Sequence, residues 1–234
     1  MDNSLLSSLL SDSQPGFFGK VRSHGDFVSR RLPATFTEPW DKWLQTLLHV
    51  SREQLGPLWL ESYLNSPIWR FALAPGACST QAWAGILMPS IDKVGRHFPL
   101  TIASRISNST TLIKLTAETN AWFDQLEALA LSALRNDFVL INFDTTLIQI
   151  TTPRTFARGE DGLNDFVKKK DPTDIPEKLD SFQETTPQLS PNVKVALPSN
   201  HSLWWINGSQ QTAPCVMVYE GLPTATSFQA MLNC

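Results

Sequence analysis

Apolar residues recur along the chain with two different periods, and the changes of period mark out its elements. Phe17 to Val21, entered through Pro15-Gly16, reads as a first short strand. The polar run that follows, with Gly25 inside it and Pro33 at its end, reads as a loop containing one helical turn. From Thr37 the spacing becomes helical: Trp40, Trp43, Leu44, Leu47 and Leu48 fall at i, i+3, i+4, i+7 and i+8, on one buried stripe. Thr35 or Thr37 supplies the N-cap, and Pro39 falls within the first turn, where a missing N–H costs little. A second helix over Ser51 to Leu64 would turn Leu55, Leu58, Trp59 and Tyr63 inward.

Ile68 to Leu73 and Trp83 to Met88 then read as neighbouring strands, with Pro75-Gly76 in the turn between them, and Pro99 to Ile106 as the next. The clearest helix follows Thr116, a good N-cap, with Trp122, Leu126, Leu129, Ala130 and Ala133 on one face. Phe138 to Phe143 and Leu147 to Thr151 read as two strands, Leu203 to Ile206 and Cys215 to Tyr219 as a hairpin with Asn207-Gly208 in its turn, and Ser227 to Leu232 as a closing helix. Strands and helices alternate without internal repeats. The expectation is an α/β protein, a single-domain layered sandwich in which helices cover a mixed β-sheet.

Two segments fall outside that pattern. Residues 1–14 read as a flexible N-terminal tail, whose Leu5, Leu6, Leu9 and Leu10 allow either one short amphipathic helix or a frayed end. Within the single domain expected over 15–234, the span 152–198 carries six prolines and few paired apolar residues. It reads as a largely irregular insertion, with room for a helical turn at Leu163 to Lys168.

Charge narrows the function. The chain carries a net charge of -3, and the stretch 160–184 holds eight acidic residues against four lysines, which leaves the remainder close to neutral. A nucleic-acid binder needs a dense basic face to displace counterions, and Lys20/Arg22, Arg30/Arg31 and Lys168 to Lys170 are too short for one. Cys78, Cys215 and Cys234 are odd in number and far apart, so neither a disulfide framework nor a metal pattern is expected, and a reducing compartment fits best. The N-terminus lacks a basic segment ahead of its leucines and carries Asp2 and Asp12. Neither a secretory signal nor a membrane span is expected, and the location implied is cytoplasmic.

Chemistry concentrates in two polar loops. The run Gly16-Phe17-Phe18-Gly19-Lys20 resembles a phosphate-binding loop only superficially, since Gln14 and Val21 stand where glycine and the magnesium-binding hydroxyl would be needed. Ser23-His24-Gly25-Asp26 and Ser90/Asp92/His97 each place a hydroxyl, an imidazole and a carboxylate near one another in sequence, but no serine sits in a nucleophile elbow. Without such geometry they read as hydrogen-bonded loops, with Asp26 capping a turn, Asp92 pairing with Arg96, and His97 satisfied by backbone. The four histidines are scattered, so no metal site and no cofactor are expected. The eight tryptophans read as core fillers, except that one of Trp204 and Trp205 should leave the core if that segment is a strand.

Six blocks carry a resemblance. PGFFGKVRSHGDFVSRRLP, EPWDKWL, SPIWRFALAPG, WAGILMPSIDKVGRHFPLTIAS, SLWWING and EGLPTATSFQAML resemble, in order and content, the TagF family of type VI secretion-associated proteins. Motif positions match at Gly19, Lys20, Gly25, Asp26 and Phe27, and again at Pro89, Asp92, Gly95, Arg96 and Pro99. The resemblance implies a layered α/β fold and a bacterial, cytoplasmic accessory protein that represses the secretion apparatus after translation by engaging its forkhead-associated scaffold component. It supplies no catalytic residues. The expectation is therefore a non-enzymatic regulator working through protein-protein interaction, with Lys20, His24, Asp26, Asp92, Arg96 and His97 as candidate partner contacts. The alternative is a hydrolase, or a sensor of a small ligand or nucleotide, built on the Asp26, Asp92 and His97 loops.

Overall fold

The structure, a computed structural model, describes residues 14–108, 112–157, 193–208 and 213–232. The chain runs β1 (Gly16–Gly19), β2 (Val28–Arg30), α1 (Ala34–Leu55), a 3-10 turn (Gly56–Leu58), α2 (Trp59–Asn65), β3 (Trp69–Leu73), β4 (Ala82–Met88) and β5 (Leu100–Ile106). It continues through β6 (Leu112–Leu115), α3 (Ala117–Ser132), α4 (Leu140–Gln149), α5 (Arg154–Ala157), β7 (Val193–Ala196), β8 (His201–Ile206), β9 (Cys215–Glu220) and α6 (Ala225–Leu232). Seven strands form one sheet in the order β2-β1-β5-β4-β3-β8-β9, and β6 pairs with β7 in a separate ladder. This is the expected layered α/β sandwich. Its strand pairs are antiparallel throughout, where a mixed sheet was expected.

Helices cover the sheet on both faces, which explains why β3 and β4 are buried along their whole length. On one face Trp122, Phe123 and Leu126 of α3 and Phe143 and Leu147 of α4 pack against Ile86, Ile102 and Trp205. On the other, Trp40 and Leu44 of α1, Tyr63 of α2 and Met231 of α6 pack against Phe71, Leu87 and Trp204. Adjacent Trp204 and Trp205 thus point to opposite faces, and both are fully buried. The expectation that one would leave the core fails because there are two cores. Trp204 stacks on Trp40 at 6.0 Å, and Trp205 meets Phe123 edge-on at 4.9 Å. Arg70 reaches from β3 to Asp124 and Glu127 of α3, at 2.6 Å each, and ties the sheet to that helix.

Several elements depart from the sequence expectation. The loop after β1 contains β2, which pairs Phe17 with Arg30 and Gly19 with Val28. The first helix starts at Ala34 behind Pro33 and runs unbroken for 22 residues to Leu55, so Pro39 lies inside it. Gly56, at φ 52°, ends that helix, and the next begins only at Trp59. Trp59 and Tyr63 face inward as expected, but Leu58 is exposed. Thr116 caps α3 in a reciprocal arrangement with Thr119. The two strands expected over 138–151 are instead the single helix α4. Phe143 and Leu147, four residues apart, share its buried side, while Val139 and Ile141 are exposed.

Of the span 152–198, Arg154–Ala157 form a helical turn and Val193–Ala196 a strand. Residues 158–192 of the expected insertion, including Leu163 to Lys168, and the tail up to residue 13 lie outside the described residues. No described helix is long and apolar enough to cross a membrane.

Candidate functional site

Because β1 pairs with β5, the loop leaving β1 and the loop entering β5 come together at one end of the sheet. The glycine of the first motif is what permits this approach. Gly19 has φ 142°, outside the range favoured by other residues, and a Cβ there would collide with the carbonyl oxygen of Pro99. The two motif blocks of the sequence therefore meet as backbone against backbone.

Asp92 organises the second loop. Its Oδ1 accepts hydrogen bonds from the backbone N–H groups of Val94 and Arg96, at 3.0 and 2.9 Å. The turn is completed by Gly95, at φ 84°, whose N–H donates to the Asp92 carbonyl. Its Oδ2 accepts from Lys20 Nζ at 2.7 Å and from Arg96 Nε at 2.6 Å. The Asp92 side chain is fully buried and Lys20 nearly so, whereas Arg96 is mostly exposed. Burial alone would raise the Asp92 pKa. The ammonium of Lys20 and then the Arg96 and Val94 donors outweigh it, holding the carboxyl well below the usual carboxylate range.

Further bonds join the loops. The Lys93 N–H donates to the His24 carbonyl at 3.0 Å, and Arg96 Nη2 donates to the Gly25 carbonyl. Below them, Ser90 Oγ donates to the Lys20 carbonyl at 2.8 Å. Tyr63 OH donates to the Ser90 carbonyl and accepts from its N–H, at 2.9 and 3.0 Å. Burial pushes the Tyr63 phenol far above its ordinary range. His97 is half-buried and sits edge-on to Trp59 and Tyr63, at 5.5 and 5.6 Å. Burial there, reinforced by the field of Arg52 and partly offset by Asp92, pushes its pKa down.

The six candidates thus divide. Lys20 and Asp92 build the interior of the loop pair, as does the aromatic slot around His97. His24, Asp26 and Arg96 face solvent. The Asp92–Arg96 pair is formed as expected. Asp26 has no side-chain partner among the described residues, so its expected capping role is not met. His97 finds aromatic rings where backbone was expected. Of the hydroxyl, imidazole and carboxylate groupings, Ser23 and His24 are bonded at 2.7 Å in full exposure. Ser90, Asp92 and His97 are each committed to other neighbours. Among the described residues no three His, Cys, Asp or Glu side chains gather as they would around a metal ion.

The partner-contact candidates read from the sequence leave out two apolar side chains in these polar loops, although Phe27 is among the matched motif positions. Phe27 is 46% exposed and Val94 69%. Phe27 stacks on Phe18 at 5.4 Å and meets Phe98 edge-on at 4.7 Å, with Lys20 Nζ 5.2 Å from its ring centre. A phenylalanine closing the polar run Ser23-His24-Gly25-Asp26 was the available signal.

Residues 16–150 match the family model of the TagF N-terminal domain, described as type VI secretion system-associated. Both loops lie within that match. The crystal structure of PA0076 from Pseudomonas aeruginosa PAO1 is similar over 93% of this chain and 93% of that one, at 33% sequence identity and a TM-score of 0.69. Comparison with curated protein sequences gives no significant match.

Proposed function

The chain belongs to the TagF family of type VI secretion-associated proteins, and on that premise we propose that it is a non-enzymatic repressor of the apparatus, acting after translation. It works in the cytoplasm by occupying a docking surface of the forkhead-associated scaffold component. The surface it uses is the interlocked loop pair at 23–27 and 92–97.

One observation carries this reading. Phe27 and Val94 expose apolar side chains on loops whose buried ion pair, Lys20 with Asp92, is already satisfied within the molecule and capped by Arg96. Exposed aromatic and aliphatic groups on a braced base are what a protein partner can desolvate at small entropic cost. The hydrolase alternative draws less support from the same geometry. A general base must be free to take a proton near neutral pH, and Asp92 is held by four hydrogen bonds at a depressed pKa.

The test is co-purification of the full chain with the purified forkhead-associated component of the same secretion system. A stoichiometric complex is expected, weakened by changes at Phe27. Absence of a complex, or a complex indifferent to the loop pair, would overturn the proposal.

A further inference from the structure

Beside the loop pair, where the connection from α3 to α4 passes the turn at Asp92–Gly95, lies a hollow of about 370 Å³. Arg22, Ser23, Lys93, Gly95, Arg135 and Asn136 line it. The lining holds three cations, Arg22, Lys93 and Arg135, and one carboxylate, Asp92. The carboxylates at hand are already engaged, Asp92 by Lys20 and Arg96, and Asp137 by Arg135 at 2.9 and 2.8 Å. The lining therefore carries three cations against one carboxylate that Lys20 and Arg96 already neutralise, in a chain whose net charge is -3. Such a local excess in a concave, walled site concentrates positive potential where an anion can enter.

The donors are also held in place. Arg22 anchors Nη1 on the Leu134 carbonyl at 3.0 Å, which leaves the rest of its guanidinium uncommitted among the described residues. Arg135 engages Asp137 through Nε and Nη2, which leaves Nη1. The backbone of Lys93 is pinned to His24, while its exposed ammonium has no partner among the described residues. Fixed guanidinium groups beside a mobile ammonium make a donor set suited to phosphoryl oxygens. The volume falls in the range of small-molecule sites and exceeds what one phosphate fills, and Ile91 and Phe138 give the hollow an apolar wall.

We propose that this hollow binds a small phosphate ester of the nucleoside diphosphate class, with the phosphoryl groups on Arg22, Lys93 and Arg135 and the organic part against Phe138. The hollow adjoins the loop surface assigned to a protein partner and shares Ser23, Asp92, Lys93 and Gly95 with it, but its ligand is tested with ADP and no partner present, so either reading can fail without the other.

Calorimetric titration of the full chain with ADP, pyrophosphate and adenosine tests it. ADP should bind at millimolar concentration or better, pyrophosphate more weakly, and adenosine not at all. Lys93→Ala and Arg135→Ala should each weaken ADP by about tenfold, the loss expected for one charge-assisted contact. Lys93→Arg should restore most of it. Lys42→Ala removes the same charge from the exposed side of α1 and should leave the affinity unchanged. Both lining residues are exposed, so their variants should melt with the parent, and a melting curve checks this. No heat with ADP or pyrophosphate would overturn the proposal. So would ADP binding that survives the double variant Lys93→Ala/Arg135→Ala, or that Lys42→Ala weakens equally.

Discussion

Lys20 and Asp92 meet in a 2.7 Å ion pair almost wholly withdrawn from solvent, although 72 residues separate them in sequence. Removing one partner of such a pair leaves the other desolvated and uncompensated. Asp92→Ala should therefore cost about 3–5 kcal/mol, since it strands Lys20 and also frees the Val94 and Arg96 N–H groups. Lys20→Met should cost less, about 1–2 kcal/mol, because Arg96 still faces the carboxylate. Urea unfolding of the two single variants and the double variant measures the coupling.

The same carboxyl sets a pH dependence whose sign is fixed. The folded-state pKa of Asp92 lies below the unfolded one, because the Lys20 and Arg96 donors outweigh burial. The folded form thus binds fewer protons there. Its contribution is complete above the unfolded value of about 4 and is lost as pH falls through the folded one. Asp92→Asn should be less stable than the parent at neutral pH and should show a shallower loss of urea midpoint between about pH 7 and pH 3.

Two glycines of the same motif region should respond oppositely to a methyl group. Gly19→Ala forces an alanine to φ 142° and drives its Cβ into Pro99, and should cost at least about 3 kcal/mol or abolish soluble expression. Gly25→Ala meets open space and should stay within about 0.5 kcal/mol of the parent. Thermal melts of the two variants separate these outcomes.

If the loop pair is the docking surface, Phe27→Ala should weaken the complex by about tenfold or more, as loss of an aromatic anchor does. Val94→Asp should weaken it as well without loss of stability, since that side chain is mostly in solvent. Val218→Ser, on β9 at the opposite edge of the sheet, should change nothing. Surface-bound titration with the forkhead-associated component gives the ratios.

The parts of the fold that could be read from the sequence are those fixed by local spacing. Thr116 announced α3, and the runs at 68–73, 83–88 and 99–106 stood out as short, largely apolar segments set apart by turn residues, which the structure covers on both sides. That same cover misled the reading of Trp204 and Trp205, which assumed one core. The segment 138–151 was misread because Val139, Ile141, Phe143, Ile148 and Ile150 are β-formers by composition. Only packing against Phe17 and Phe138 selects the helical stripe. Strand β2 was missed since three residues in a polar run carry no periodicity.

At the site, Asp92 and Arg96 were legible as a pair because four residues separate them. The partner that matters more, Lys20, was not. Its position beneath Asp92 follows from β1 lying beside β5, a tertiary fact that no local window contains. The exposed Phe27 was visible in the sequence but was hidden by the polar company it keeps.

Tyr63 both gives and receives a hydrogen bond at Ser90, and so places a helix of only seven residues directly under the loop. The outer side of that helix shows Leu60 and Leu64 to solvent. A molecule seated on those leucines would therefore stand on a helix joined to the Lys20 backbone through two side chains in series, Tyr63 and Ser90.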